Sequence, residues 1–296
     1  MERAFRAGAQ FGARGRHWSV IPTMVTFYAP KAGNAEHEWE DGAATDPGDP
    51  LAGRNPRFAV ADGATEGFGS ARWAAALTAG FLGNGAERPP PLSHGPLGEW
   101  LVRAQERWNR DPALAGANEL ARLKAARVGS FATFLGCELT GLAGPSPGWH
   151  AIGLGDTVLF QVRGRRLVTQ APPIPPDGFG VNPDGISTKP ERLAATLDRL
   201  EYHSGRLAEG DRLYLATDAL AQWLAGAAHS GAHSGGHGGG HGRGSPWPAL
   251  AALEHPATFR ALVTELRRTG AMVNDDVTLL RVHLAAGPPR HLVVCG

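Results

Sequence analysis

Acidic residues stand at or next to the ends of three apolar strand-like runs, and this pattern restricts how the chain can fold. A carboxylate at the end of a buried strand is costly to bury alone, so it needs a hydrogen-bond network, an opposite charge or a cation. The fold must therefore bring each of these strand ends against a compensating group. The acids are Asp62, after the run 57–61; Asp218, after the run 211–216; and Asp275, before the run 277–284.

The rest of the sequence mixes strands and helices, and many strands follow one another through short turns. From Gly129 onward, strand-like runs are separated by glycine-bearing turns, as in an antiparallel meander. Such hairpin-like runs do not suit a parallel βαβ sheet, so we predict an α+β fold. The Pro-rich segment 171–189 is predicted to be an irregular surface flap. Predicted strands cover 24–29, 58–61, 130–139, 149–154, 157–163, 165–170, 211–216 and 277–284, and predicted helices cover 70–82, 97–107, 118–127, 190–200, 219–224, 249–253 and 258–269.

Length and composition favour one globular domain. The 296 residues predict a single domain over 1–296 with a flexible His/Gly-rich insertion at about 226–247. Lys plus Arg (29) and Asp plus Glu (28) nearly balance, so we expect no nucleic-acid binding. Cys137 and Cys295 are too far apart for a disulfide framework or a metal knuckle, which favours the cytoplasm. We find no signal-peptide core and no apolar run of about 18 residues, so we expect no membrane insertion.

The acids beside the strands can meet at one edge of a sheet. Antiparallel neighbours place the end of one strand beside the start of the next, so Asp62, Asp218, Asp275 and the pair Glu40-Asp41 can converge. Converging carboxylates repel one another unless cations lie between them. Oxygen ligands favour Mg²⁺ or Mn²⁺, and two such ions about 3.5 to 4 Å apart form a clamp for phosphate-ester hydrolysis. A site for two divalent cations is therefore a physical candidate.

A set of short motifs in a fixed order resembles the metal-dependent protein serine/threonine phosphatases of the 2C type (PPM), in a divergent bacterial form. The resemblance covers almost the whole chain, and each motif alone is weak. It implies a four-layer α/β/β/α sandwich of two antiparallel sheets flanked by helices. The motifs are Glu40-Asp41, Val60-Ala61-Asp62-Gly63, Gly129-Ser130-Phe131-Ala132-Thr133, Gly155-Asp156-Thr157, Thr217-Asp218 and Asp275-Asp276-Val277-Thr278-Leu279-Leu280.

The resemblance also implies roles for individual residues. Asp62 would bridge two Mg²⁺ or Mn²⁺ ions, the Gly63 carbonyl would bind one of them, and Asp218 and Asp275 would ligate the other. Glu40 would act through a bound water, with Asp41 behind the direct ligands. Through these metals, Asp62, Asp218 and Asp275 would be the catalytic residues.

The implied reaction is hydrolysis of phosphoserine or phosphothreonine in proteins by a metal-bridging hydroxide. The implied partners are a phosphoprotein substrate and an opposing serine/threonine kinase. Asp276 could ligate a metal in place of Asp275. Asp156 is expected to mark a structural hairpin and to have no catalytic role.

The sequence departs from the family pattern at several positions. Ala64 replaces a histidine proposed as general acid, and Glu36 replaces an arginine that grips substrate phosphate, which leaves Lys31 or His37 for that task. Ala126 replaces the aspartate of a third metal site, so two metals are expected. These changes motivate an alternative function, a non-catalytic domain of the same fold that binds a phosphoprotein and regulates it.

A histidine at every fourth position marks the segment 229–244. On a helix this spacing would place the imidazoles on one face as a transition-metal site. The many glycines oppose a helix, each by about 1 kcal/mol relative to alanine. The segment is therefore predicted to be a flexible spacer or a tract that sequesters nickel or zinc. Its histidines are His229, His233, His237 and His241.

Overall fold

The fold, seen in a computed structural model, contains two antiparallel sheets with helices on both outer faces. The structure describes residues 22–64, 68–83, 88–112, 116, 118–180, 183–233 and 245–285. The strands are β1 (Thr23–Ala29), β2 (Gly42–Asp46), β3 (Arg57–Gly63), β4 (Phe131–Thr140), β5 (Gly148–Leu154), β6 (Val158–Arg163), β7 (Arg166–Ala171), β8 (Ile186–Ser187), β9 (Glu201–Arg206), β10 (Asp211–Ala216) and β11 (Val277–His283). The helices are α1 (Ser70–Leu82), α2 (His94–Asn109), α3 (Glu119–Arg127), α4 (Leu193–Arg199), α5 (Asp218–His233), α6 (Trp247–Ala251) and α7 (Pro256–Arg268).

The strand order brings distant parts of the chain together. One sheet has the order β1-β11-β10-β6-β7, and the other has the order β2-β3-β4-β5-β9 with the short β8 paired to β4. Every pairing is antiparallel, and Ala29 at the end of β1 lies opposite Val277 at the start of β11. The acids at Asp275 and Asp276 therefore lie next to the chain that leaves β1.

Apolar residues fill three spaces between four layers. Because side chains alternate along a strand, each buried strand contributes to two of these spaces. In β10, for example, Leu213 and Leu215 face the other sheet, whereas Tyr214 and Ala216 face the helices α5, α6 and α7. The helices α1 and α2 cover the second sheet through Trp73 and Trp100. The predicted α/β/β/α sandwich of two antiparallel sheets is confirmed.

The sequence prediction failed at β2, β8 and β9, which lack an apolar alternation. The small residues of β2 allow α1 to approach, since a Cβ on Gly42 would lie 2.7 Å from the Ala74 backbone. The polar strand β9 (EYHSGR) is held by its pairing with β5, where Gly205 leaves room for Trp149. β8 lies inside the Pro-rich segment that was predicted to be irregular throughout.

Helix α5 is longer than predicted. It was expected over 219–224, but it continues to His233, about one third of the way into the segment predicted to be a flexible insertion. Its first turns are anchored by Leu220 and Leu224 against the sheet, and this packing offsets the cost of Gly226 and Gly231. Residues 234–244, with His237 and His241, lie outside the described residues. Within the described ranges, no helix combines the length and apolar character needed to cross a bilayer.

Candidate functional site

Asp62 lies at one end of the space between the two sheets. In β3, Phe58 and Val60 point into that space, so the alternation of side chains points Asp62 the same way. The next residue must be glycine, because a Cβ on Gly63 would lie 2.5 Å from the Glu40 carbonyl oxygen. Strand β3 therefore places the Asp62 carboxylate at the end of the core, and Gly63 lets the backbone pack closely against Glu40.

Below this carboxylate the apolar core ends in a layer of threonines, which we call the threonine layer. Its members come from four strand ends and share the inward-facing positions of those strands. The hydroxyls of Thr133 and Thr157 lie 2.7 Å apart, and the Thr278 amide donates to Thr217 Oγ1 at 2.9 Å. The layer thus joins both sheets through hydrogen bonds. It consists of Thr133, Thr157, Thr217 and Thr278, all of which are buried.

Asp41 rests on the threonine layer. Its Oδ2 accepts hydrogen bonds from Thr278 Oγ1 at 2.7 Å and Thr217 Oγ1 at 3.2 Å, and the residue is only 2% exposed. Its Oδ1 has no hydrogen-bond partner among the described residues. Burial raises the pKa of Asp41 to about 8, and repulsion from Asp276 and Asp218 adds to the effect. Among the described residues, Asp41 forms no ion pair, and its charged neighbours are Asp276 and Asp218.

Asp62 and Asp218 share this electrostatic environment. Burial raises the pKa of Asp62 well above its ordinary value, and repulsion from Asp41, Asp218 and neighbouring acids raises it further. Burial also raises the pKa of Asp218, the first residue of α5, although hydrogen bonds from the Ala219 amide and from Asp62 oppose the shift. Two carboxyl groups in hydrogen-bond contact hold a proton between them when no cation is present.

Asp156, which is expected from the sequence to mark a structural hairpin, lies close enough to these acids to repel them. It lies in the turn between β5 and β6, is 4% exposed, and repels both Asp62 and Asp218. Burial raises the pKa of Asp156 to about 7, with repulsion from Asp218 as the second cause. A signal was present in the sequence, because Gly155-Asp156-Thr157 repeats the pairing of an acid with a neighbouring threonine seen at Thr217-Asp218.

The structure separates the roles of Asp275 and Asp276. Asp276 accepts hydrogen bonds from the backbone amides of Lys31 and Glu40, both at 2.7 Å, so it fastens those two segments to the start of β11. The side chain of Asp275 is 43% exposed and lies 3.4 Å from Lys31 Nζ. Asp275 Oδ1 also accepts a hydrogen bond from the Asp276 amide at 2.9 Å, whereas Asp276 uses both of its oxygens to hold backbone amides.

The surrounding residues fix the backbone of this region. Glu40 Oε1 accepts a hydrogen bond from Ser70 Oγ at 2.7 Å, which ties the acid to the start of α1. From α7, Arg267 donates to the carbonyls of Pro30 and Asp275, so one guanidinium holds both sides of the loop pair. The sequence analysis missed Arg267, because nothing local links position 267 to the motif at 275.

The two candidates for substrate phosphate have different positions. Lys31 lies beside Asp275 at the edge of the acids, where a phosphate could meet its ammonium group. His37 is exposed in a single 3₁₀ turn over Glu36–Glu38. Glu36 pairs with Arg260 at 2.7 Å. Of the two candidates, Lys31 is the one that contacts Asp275.

We call the group of acids at this end of the sandwich the acid cluster. Its donors are all oxygens, which suits Mg²⁺ or Mn²⁺ better than zinc. The unpartnered Oδ1 of Asp41 and both oxygens of Asp156 provide further acceptors for a cation or its waters. In the described part of the chain, however, no three His, Cys, Asp or Glu side chains form a preformed metal cage. The cluster comprises Asp41, Asp62, Asp156, Asp218 and Asp275.

On the same helix as Asp218, the described end of the histidine tract is helical. His229 and His233 both belong to α5, and His229 Nδ1 lies 2.9 Å from the Ala225 carbonyl oxygen one turn earlier. The prediction of a transition-metal tract stays a prediction, because it also needs His237 and His241 beyond the described residues.

Solved structures of protein phosphatases are similar to this fold. The Mycobacterium tuberculosis serine/threonine phosphatase PstP/Ppp is 14% identical with a TM-score of 0.54, covering 90% of this chain and 99% of that chain. The catalytic domain of PstP in complex with two manganese ions is 13% identical with a TM-score of 0.52, covering 90% and 100%. The photosystem II phosphatase PBCP is 17% identical with a TM-score of 0.50, covering 90% and 100%.

No protein-family profile matches the sequence, and no curated protein matches it. The similarity is therefore one of architecture, spread over nine tenths of the chain at low identity. It agrees with the strand order and the layers described above. The chain has the fold of the PPM-type serine/threonine phosphatases.

Proposed function

We propose that this protein hydrolyses phosphoserine or phosphothreonine in proteins and requires two Mg²⁺ or Mn²⁺ ions. The observation that carries the proposal is the acid cluster, in which burial and then mutual repulsion raise the pKa values of Asp41, Asp62 and Asp218 at one end of the sandwich. An arrangement of this kind is destabilising without cations, and divalent ions would relieve the repulsion. The similarity of the fold to solved serine/threonine phosphatases supports phosphate-ester hydrolysis as the reaction at this site.

The residues fit a cation site at the level of donor chemistry. Asp62, Asp218 and Asp275 would hold the ions, with the Gly63 carbonyl beside Asp62 and Glu40 acting through water. When bound, the ions would polarise the phosphoryl group and lower the pKa of a water molecule. The threonine layer holds Asp41 in place behind these ligands. Arg267 and Asp276 hold the backbone segments that carry Asp275, Lys31 and Glu40.

The substrate would approach from the side of Lys31. Its side chain is 38% exposed and its ammonium nitrogen lies 3.4 Å from Asp275, so it can attract a phosphate monoester that reaches the cluster. Ala64 cannot donate a proton, so the leaving serine or threonine oxygen would take its proton from water or from another residue. We propose that the partners are a phosphoprotein and an opposing serine/threonine kinase. The cytoplasm stays the predicted compartment.

The proposal is tested by hydrolysis of p-nitrophenyl phosphate and of a phosphothreonine peptide, each with and without Mn²⁺. Wild type is compared with Asp62→Asn and with the control Asp198→Asn, an exposed acid on α4 away from the cluster. We expect Mn²⁺-dependent turnover in wild type and the control, and loss of turnover in Asp62→Asn. Turnover that survives in Asp62→Asn would contradict the assigned site.

One alternative function has an observation in its favour. The absence of a preformed metal cage among the described residues, together with Ala64 and Glu36, is compatible with a non-catalytic domain that binds a phosphoprotein. That alternative predicts binding of a phosphopeptide without turnover at saturating Mn²⁺. The buried carboxylates oppose it, because a binding domain gains nothing from their mutual repulsion.

A further inference from the structure

Asp156 is the acid of the cluster whose position the proposed ligand set does not explain. Both of its carboxylate oxygens are buried, and neither accepts a hydrogen bond from another residue in the part of the chain that the structure describes. A buried carboxylate without donors costs several kcal/mol in desolvation. A purely structural aspartate would be expected to bond to nearby amides or hydroxyls.

Donors are close to Asp156 in the chain but are used elsewhere. The hydroxyl of the next residue, Thr157, pairs with Thr133 at 2.7 Å rather than with the carboxylate. Gly155 has φ +98°, a backbone conformation that favours glycine. The segment at Asp184 also packs closely against it, because a Cβ on Gly155 would lie 2.4 Å from the Asp184 carbonyl oxygen. The turn is therefore fixed by glycine and by the threonine pair, and its geometry does not need the carboxylate.

The strand register places Asp156 beside the acid cluster, because Val158 at the start of β6 lies opposite Ala216 at the end of β10, two residues before Asp218. Asp218 repels Asp156, and Asp156 in turn repels Asp62, so Asp156 acts on two of the three acids proposed to hold the ions. The contrast with Asp276 is direct, because Asp276 has a backbone amide on each oxygen. Asp156 has none of these bonds and stands among like charges.

We infer that Asp156 is part of the cation site, as an anionic ligand that the β5–β6 turn supplies directly or through a metal-bound water. This inference rests on the proposed function and deepens it. In this role, Asp156 would add a carboxylate to the cation site beside Asp218. The role differs from the structural hairpin role that the sequence suggested. It also explains why the oxygens carry no donors, since a cation or its waters would fill those positions.

The inference is tested by titrating the purified protein with Mn²⁺ in a calorimeter at pH 8 and by measuring its unfolding temperature with and without Mn²⁺. The variants are Asp156→Asn and Asp156→Ala, with Asp198→Asn as the exposed control. We expect both Asp156 variants to bind Mn²⁺ about 10-fold more weakly, or to lose one ion. Without Mn²⁺ they should unfold at the same temperature as wild type or higher, because repulsion is removed and no hydrogen bond is lost.

The outcomes separate this inference from the proposed function. If wild type binds Mn²⁺ and the Asp156 variants bind it with equal affinity and number, the inference is wrong while the phosphatase proposal stands. A lower unfolding temperature of both variants without Mn²⁺, or their failure to fold, would show that the carboxylate is structural and would also overturn the inference. If wild type binds no Mn²⁺, the proposed function fails and the inference fails with it.

Discussion

The two ends of strand β10 carry aspartates in opposite electrostatic states. At its start, Asp211 is fully buried and accepts hydrogen bonds from Arg163, from Gln161 and from the Ala208 amide, all between 2.7 and 2.9 Å. Burial alone would raise the pKa of Asp211, but these bonds outweigh it and hold the pKa below its ordinary value. Just past the other end, Asp218 meets other acids, and burial raises its pKa.

The difference shows how a structural acid can be told from a functional one. Asp211 has its compensating charge within the chain, so its site is complete. In the described part of the chain, Asp41, Asp62, Asp156 and Asp218 form no ion pair of this kind, and Asp275 contacts the partly exposed Lys31. The contrast with Asp211 marks the acid cluster as the candidate functional site without reference to any relative.

The largest expected effect is on activity. Asp62→Asn should lower Mn²⁺-dependent kcat/KM by about 10³-fold, because losing a bridging ligand removes several kcal/mol of transition-state stabilisation. The matched variant at the other end, Asp211→Asn, should keep activity within about threefold when assayed below its unfolding temperature. Steady-state hydrolysis of p-nitrophenyl phosphate measures both. Equal losses of activity in the two variants would contradict the assignment of the functional site to the acid cluster.

The second effect is on stability, and here substitution of Asp211 should have the larger effect and substitution of an acid of the cluster the smaller one. Asp211→Ala should lower the free energy of unfolding by about 2 kcal/mol, because it leaves the buried Gln161 amide and the Arg163 guanidinium without their acceptor. In cation-free buffer, Asp218→Ala should cost less than this or raise stability, since it removes repulsion. Urea unfolding of the two variants gives the comparison. A larger loss for Asp218→Ala would contradict it.

The third effect is a pH dependence of the cation-free protein. The pKa values of Asp41 and Asp156 are raised to about 8 and about 7 by burial, so the folded chain holds protons that the unfolded chain releases near 3.8. Their contribution is full below the unfolded pKa and is lost as pH rises through the folded pKa. Stability should therefore fall as pH rises from 5 to 7, and Mn²⁺ should remove this decline.

Unfolding temperature across that pH range, with and without Mn²⁺, measures this dependence. Asp211 should not contribute to it, because its lowered pKa makes its stabilisation present above about 3.8 and lost only at lower pH. Stability that rises from pH 5 to pH 7 in cation-free buffer would contradict the account.

The smallest effect concerns substrate capture. Lys31→Ala should raise KM for a phosphothreonine peptide about fivefold with little change in kcat, because a partly exposed charge contributes up to about 1 kcal/mol. Lys31→Arg should retain most of the affinity, and His37→Ala should behave like wild type. An effect on KM confined to His37→Ala would move the phosphate contact to the 3₁₀ turn.

Most of the strands could be predicted because the buried strands alternate clearly, whereas the four-layer sandwich was implied by the resemblance of the ordered motifs to the 2C-type phosphatases. The sequence could not predict β9, which is polar and takes its position from β5, or the full length of α5, which depends on packing of Leu220 and Leu224. Asp62, Asp218 and Asp275 were found as acids beside strands. Asp156 and Arg267 were missed as site residues, because burial and long-range contacts define them.

The most direct test of the central claim is a crystal structure of the wild-type protein grown with Mn²⁺, with anomalous scattering used to locate the ions. The account predicts two anomalous peaks at the end of the inter-sheet space, with Asp62 between them and Asp218 and Asp275 on one ion. A structure at saturating Mn²⁺ with no peak at the acid cluster would contradict it.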